Sequence, residues 1–240
     1  MIAIVATYYN RLPQLTNTVA SLSKYNDFRF IVVDDGSPEP ISIQAPFMEV
    51  IRLTNKTWYG SCIPYNVGFR KALEYNPDIV IIQNAETYHA GDILGYAREN
   101  LTDENYIAFP CYSLSEDDTI PPAVIHNYEN RCDGDSAWYN HPVYRPTGYH
   151  FCAAITANNL RRINGFDERF KDGCDWDDNY LLHQVRTLGL RIDIPLEPVV
   201  YHQWHYSSIR ERGTNDNAAL YQQLIKGMAY RAVHLLTPDL

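Results

Sequence analysis

No stretch of this chain approaches the about 20 consecutive apolar residues that a membrane-spanning helix requires. The opening apolar run Ile2–Ala6 is too short for the core of a signal peptide. Cysteine is scarce: the five thiols (Cys62, Cys111, Cys132, Cys152, Cys174) are odd in number, widely spaced and form no C-x-x-C pair. That excludes a disulfide framework or a cysteine zinc site as the organising device, and a reducing, cytoplasmic location is the expectation. Positive charge is short as well. A formal net charge of −9 excludes a general nucleic-acid binder, because neutralising phosphates takes clustered Lys and Arg. Low-complexity runs and internal repeats are missing, and 45% hydrophobic with 20% charged residues is the balance of an ordered globular protein. A chain of 240 residues buries a substantial core as one domain.

What is present first is a rhythm of strands and helices. Ile2–Ala6 reads as a strand, and Leu12, Leu15, Val19 and Leu22 then recur at helical spacing, with Pro13 suited to a first helical turn. Phe28–Val33 is rich in β-branched and aromatic residues and opens into Asp34-Asp35-Gly36-Ser37 before Pro38 and Pro40. Strands at Glu49–Leu53 and Asp78–Ile82 bracket a helix at Ile63–Glu74, and another helix starts near Asp92. The segment from Tyr112 to Tyr149 has no clear period and reads as long loops. Phe151–Thr156 and Pro198–Tyr201 read as further strands. Asp175-Trp176-Asp177-Asp178-Asn179 precedes a helical stripe through Leu181, Val185 and Leu188 that Gly189 stops. A last helix carries Leu220, Leu224 and Met228.

Strands alternating with helices predict an α/β fold with a mostly parallel, Rossmann-like sheet flanked by helices. Residues 1–205 form its single domain, and 206–240 read as a flexible segment and a C-terminal helix packing on it. Ligands of such sheets lie beyond the carboxyl ends of the strands, where both the D-D-G-S loop and Gln83-Asn84-Ala85-Glu86 fall. Nineteen tyrosines and four tryptophans supply flat apolar faces with polar edges suited to sugar rings, although packing employs most of them.

The order A-T-Y-Y-N, D-D-G-S, N-V-G-F-R-K-A, N-A-E, N-G-F-D-E-R-F and D-W-D-D-N-Y-L-L, running from Met1 to His205, resembles the family 2 glycosyltransferases. The resemblance implies a GT-A fold, a nucleotide-diphosphate sugar donor, a divalent cation and inversion at the anomeric carbon. Asp35 then corresponds to the acid that accepts the N3–H of uracil, which favours a UDP-sugar. As an isolated pair, Asp34 and Asp35 would read as turn acids; in this context both count as donor-binding candidates. Thr7 is placed to line the base or ribose pocket, and Asn66 is open to two readings, nucleotide contact or helix packing.

Asn84-Ala85-Glu86 occupies the position of the family's D-x-D motif but departs from it. Asn84 hydrogen-bonds without supplying charge, so Glu86 becomes the principal metal ligand. Hard oxygen ligands suit magnesium or manganese. A histidine after the last strand completes the metal shell in some GT-A enzymes, which points to His202 ahead of His205. Asp177 and Asp178 match the family's acidic pair, with Asp178 as the base, Asp177 its acidic neighbour and Asp175 a competitor. As helix-capping acids they would each be worth roughly 1 kcal/mol or less. Three acids in four positions exceed that need, and their repulsion raises a pKa toward a base's range. Trp176 and Trp204 read either as sugar platforms or as core.

The expected reaction is therefore sugar transfer from a nucleotide donor to a glycan, lipid-linked sugar or glycoprotein acceptor. Two other readings stand beside it. A sugar-phosphate nucleotidyltransferase would need a Gly-rich basic loop after the first strand, where this chain has Thr7-Tyr8-Tyr9-Asn10-Arg11-Leu12. A non-catalytic nucleotide-sugar or glycan-binding module would explain the altered D-x-D but leaves the acids at 175–178 without a purpose.

Overall fold

The structure, a computed structural model, describes residues 1–120, 137–206 and 217–240. The elements that carry the architecture begin with β1 (Ile2–Tyr8), α1 (Leu12–Leu22), β2 (Phe28–Asp34) and β3 (Met48–Arg52). Then come α2 (Cys62–Glu74), β4 (Ile79–Asn84), β5 (Thr87–His89), α3 (Ile93–Asn100), β6 (Asn105–Ala108) and β7 (Cys111–Ser113). The second half contains β8 (Ala137–Asn140), β9 (Cys152–Thr156), α4 (Ala157–Ile163), α5 (Asp177–Thr187), β10 (Arg191–Asp193), β11 (Val200–His202) and α6 (Asn217–Leu224).

A seven-stranded sheet in the order β10-β6-β9-β4-β1-β2-β3 forms the centre. Strands β1 to β4 pair in parallel, and β9 runs antiparallel to both β4 and β6. The apolar runs of β1 and β2 are nearly continuous because both sheet faces are covered. Ala3, Val5, Ile31 and Val33 point into one core with α2, α4 and α5. Ile2, Ile4, Phe30 and Val32 point into the other, with α1 and α3. Helix α2 can lie close to the sheet because Gly68 has no side chain: a Cβ there would meet Val5 Cγ1 at 2.5 Å and Val33 Cγ2 at 3.0 Å.

A second, four-stranded sheet, β5-β11-β7-β8, was not foreseen in the sequence. The region from Tyr112 to Tyr149, read as long loops, contains the end of β7 and all of β8. Strands of three and four residues are too short to display an alternation, and pairing defines them, β7 with β11 and β8 with β7. The rest of that region, 121–136 with Cys132, and the charged stretch 207–216 lie outside the described residues.

The C-terminal helix α6 ends at Leu224, so Met228, expected on its apolar stripe, lies beyond it and is exposed. The remaining chain straps back over the domain. Glu168 accepts hydrogen bonds from the amides of Leu235 and Leu236, each at 2.6 Å, and Asn164 accepts one from Leu240 N at 2.9 Å. No helix among the described residues is long and apolar enough to cross a membrane.

Candidate active site

The carboxyl ends of three adjacent parallel strands bring distant residues to one level. In the β1 register Thr7 lies beside Val33 on one side and Asn84 on the other, while Tyr8 faces Asp34. The chain passes from β4 into β5, and so from one sheet to the other, through Ala85 and Glu86. Gln203, just past β11, secures this crossing: its backbone and side-chain amides both donate to Glu86 O, at 3.2 and 2.9 Å. A cavity of about 480 Å³ opens here, lined among others by Thr7, Asp35, Asn84, Glu86, Asp175, Asp177, Asp178 and His202.

Glu86 is buried, and its Oε1 is the focus of one wall. Arg11 donates to it at 2.5 Å, His202 Nε2 lies at 3.1 Å and His205 Nε2 at 3.4 Å. Burial alone would raise its pKa, but the Arg11 charge and the two imidazoles hold the carboxyl well below its ordinary range. One carboxylate oxygen and two imidazole nitrogens lie within 4.8 Å of one another. This donor set fits a divalent transition ion of the manganese type better than magnesium, which prefers oxygen alone. The sequence reading favoured His202 over His205; the structure brings both to Glu86.

The acids form the opposite chemistry. Asp175 and Trp176 take left-handed backbone conformations (φ 63° and 70°), which turn the chain sharply into α5. Asp177 and Asp178 occupy its first turn, half-buried at the cavity wall. Ser61 Oγ donates to Asp177 Oδ2 at 3.0 Å, and Asp178 Oδ1 accepts from Asn179 N at 2.7 Å. Burial, then repulsion from Asp177, pushes the Asp178 carboxyl up to about 7. Burial raises Asp177 too, against its hydrogen bond from Ser61. Asp175 is exposed at the rim.

The remaining candidates divide. Thr7, Asp35 and Asn84 line the cavity, with Tyr65 OH donating to Asn84 Oδ1 at 3.3 Å. Asp35 accepts from Trp58 Nε1 at 2.8 Å on Oδ1 and from Lys56 Nζ on Oδ2. Asp34 is fully buried below it, accepting from Ser37 N at 2.9 Å, and is not among the lining residues. Asn66 likewise lies outside the cavity. Its side chain accepts from Phe166 N and donates to Phe166 O, both at 2.9 Å, and donates to Glu168 at 3.1 Å. Of its two readings, helix packing matches this position. Arg11, Lys56, Trp58, Ser61 and Gln203 were not singled out in the sequence, because single residues in loops carry no period or motif. Trp204 lines the cavity, and Trp176 packs at a 36° tilt against Tyr221 of α6, ring centroids 5.0 Å apart.

Residues 3–163 match the family model described as glycosyl transferase family 2. The chain belongs to that family. Family membership supports a glycosyltransferase enzyme over both rival readings. No curated protein matches the sequence. Among solved structures, S. aureus TarS 1–349 is similar with a TM-score of 0.64 at 15% identity, over 93% of this chain and 64% of that one. The same protein in complex with UDP-GlcNAc gives a TM-score of 0.66 at 14% identity, covering 93% and 65%. Drosophila beta-1,4-galactosyltransferase 7, as a mutant with manganese, UDP-Gal and xylobiose, gives 0.55 at 14% identity, covering 89% and 74%. This family 2 chain thus spans just under two thirds of the TarS structure's length. At such identities the likeness is one of fold, and it agrees with the GT-A architecture described above.

Proposed function

We propose that the chain transfers a sugar from a UDP-sugar to a hydroxyl of a glycan-type acceptor, with a divalent cation and with inversion. One observation carries this reading: a cavity that has a Glu-His-His cluster on its wall also holds a carboxylate, Asp178, raised to about 7. A proton acceptor in that range is matched to deprotonating a hydroxyl near neutral pH. Asp35, which lines the cavity, would accept a uracil N–H, and Thr7 and Asn84 would border the ribose. That the comparison structures contain UDP-sugars supports the choice of uridine.

Glu86, His202 and His205 would hold the cation, manganese before magnesium. When bound, such an ion neutralises charge developing on a leaving diphosphate. Asp178 takes the proton of the acceptor hydroxyl while its oxygen forms a bond to the anomeric carbon and the bond to the diphosphate breaks. Burial first, and then the charge of Asp177, fixed by Ser61, keep Asp178 basic enough to accept that proton. A single displacement of this kind inverts the configuration. A reducing, cytoplasmic setting is proposed with it, since Cys62, Cys111 and Cys152 are buried free thiols.

The test is a thermal-shift titration of UDP, GDP, dTDP and CDP with and without manganese, followed by product analysis with the sugar donors of the nucleotide selected. UDP is expected to stabilise the chain only with manganese, and the product anomer is expected to be opposite to that of the donor. Retention of configuration, or full transfer by Asp178→Asn at saturating donor, overturns the mechanism.

A further inference from the structure

The loop between β1 and α1 brings one strong cation into the cavity. Arg11, the residue immediately before α1, has its guanidinium on Glu86 Oε1 at 2.5 Å, and its side chain remains 30% exposed while that of Glu86 is 2% exposed. The oxygen it holds is the one that also faces His202 and His205. The Arg11 guanidinium presents a rigid fork of donors and no acceptor, so it offers the cavity positive charge and nothing that a cation could bind. The neighbouring residues Tyr8 and Tyr9 line the same cavity, as does Asp35 just past the end of β2. Arg11 thus lines the same cavity as Asp35 while it is paired with Glu86.

We infer that Arg11 competes with the divalent cation for Glu86 and, once released, binds the diphosphate of the donor. The inference rests on the function proposed above. Its physical basis is charge balance. A divalent ion arriving alone must displace a 2.5 Å ion pair and then sit beside the freed guanidinium, which repels it. A nucleoside diphosphate arriving with the ion supplies anionic oxygens for both. Arg11 then exchanges one anion for another, a swap suited to its planar set of donors. Metal and nucleotide therefore bind with positive coupling, and Arg11 is the element whose two positions produce it. The free chain resists loading by metal alone, and the leaving diphosphate gains a second cationic partner from the protein.

The experiment uses the full chain and measures manganese binding by the loss of the free-ion electron paramagnetic resonance signal, with and without UDP. Affinities for UDP and for uridine are measured by calorimetry in the same buffers. Arg11→Gln is expected to bind manganese alone about tenfold more tightly than wild type, and to bind UDP with manganese about tenfold more weakly, with uridine unchanged. Arg11→Lys, which keeps the charge, is expected to recover much of the UDP affinity. If wild type binds both ligands but Arg11→Gln leaves the manganese affinity unaltered, the role of Arg11 is overturned while the functional reading stands. Equal weakening of UDP and uridine also overturns it, because that is the mark of a residue that only shapes the pocket. Wild type that binds neither manganese nor any nucleoside diphosphate overturns both.

Discussion

Trp58 Nε1 donates a hydrogen bond to Asp35 Oδ1 at 2.8 Å, from a loop that the sequence offers no reason to connect with the D-D-G-S turn. The indole fixes the orientation of a carboxylate whose outer face lines the cavity. Trp58→Phe keeps the ring and deletes the donor. A hydrogen bond to a charged group is worth about 1.5–3 kcal/mol. The expected outcome is a loss of UDP affinity of about tenfold or more, seen equally with uridine, because Asp35 is assigned to the base. Calorimetry that finds uridine binding untouched would remove Asp35 from the base pocket.

The acid pair yields a signed pH dependence. Asp178 must be ionised to accept a proton, and its carboxyl is held up at about 7, so the rate at saturating donor should rise with pH through that value. Asp177→Asn removes the like charge and should move the limb to lower pH. Asp178→Asn should cost roughly 10²–10⁴-fold in transfer while leaving UDP affinity intact. A limb that stays in place in Asp177→Asn leaves burial as its cause, and one that survives unchanged in the residual activity of Asp178→Asn assigns it to another group.

The same shift acts on stability. Because the folded pKa of Asp178 lies above that of an unfolded aspartate, the folded chain binds more protons between about pH 4 and about pH 7. Its contribution to stability is full below the unfolded value and is lost as pH rises through the folded one. Denaturant unfolding across that window should show stability falling for wild type and a flatter profile for Asp178→Asn. Parallel profiles would mean that the carboxyl titrates alike in both states.

At the cluster on Glu86, His205 lies almost as near as His202, at 3.4 against 3.1 Å. If both are ligands, alanine at either position should weaken manganese binding in the presence of UDP by about tenfold or more. Glu86→Gln should abolish the manganese dependence of UDP stabilisation. An effect confined to His202→Ala would make His205 a neighbour only.

Asn66 is expected to be structural. Its three hydrogen bonds tie α2 to Phe166 and Glu168, and Asn66→Ala leaves buried partners unsatisfied at a cost of about 1–3 kcal/mol. Urea unfolding should register that loss while UDP affinity holds. The reverse pattern would return Asn66 to the nucleotide.

Much of the scaffold was legible because local patterns report burial. The short apolar runs Ile2–Ala6 and Phe28–Val33 read as strands, which the structure covers on both faces, and the stripe Leu181, Val185, Leu188 read as a helix face. Order and spacing of the short motifs carried the family, since a parallel sheet puts its loops at one end whatever their distance in sequence. The small sheet of β5, β7, β8 and β11 escaped, because its strands exist through pairing partners far along the chain. Candidates such as Asp34 and Asn66 could not be sorted by type: polarity in sequence is the same whether a side chain faces a cavity or closes a buried network.

By itself, then, the sequence determined the α/β rhythm, the family and the loops from which the site is built. Tertiary structure alone decided which side chains share a cavity, placing Arg11, His202 and His205 around Glu86 and leaving Asp34 and Asn66 outside it. The reason is that hydrophobic periodicity is a local property, whereas the charge around a carboxylate is set by distances between residues that only folding brings together.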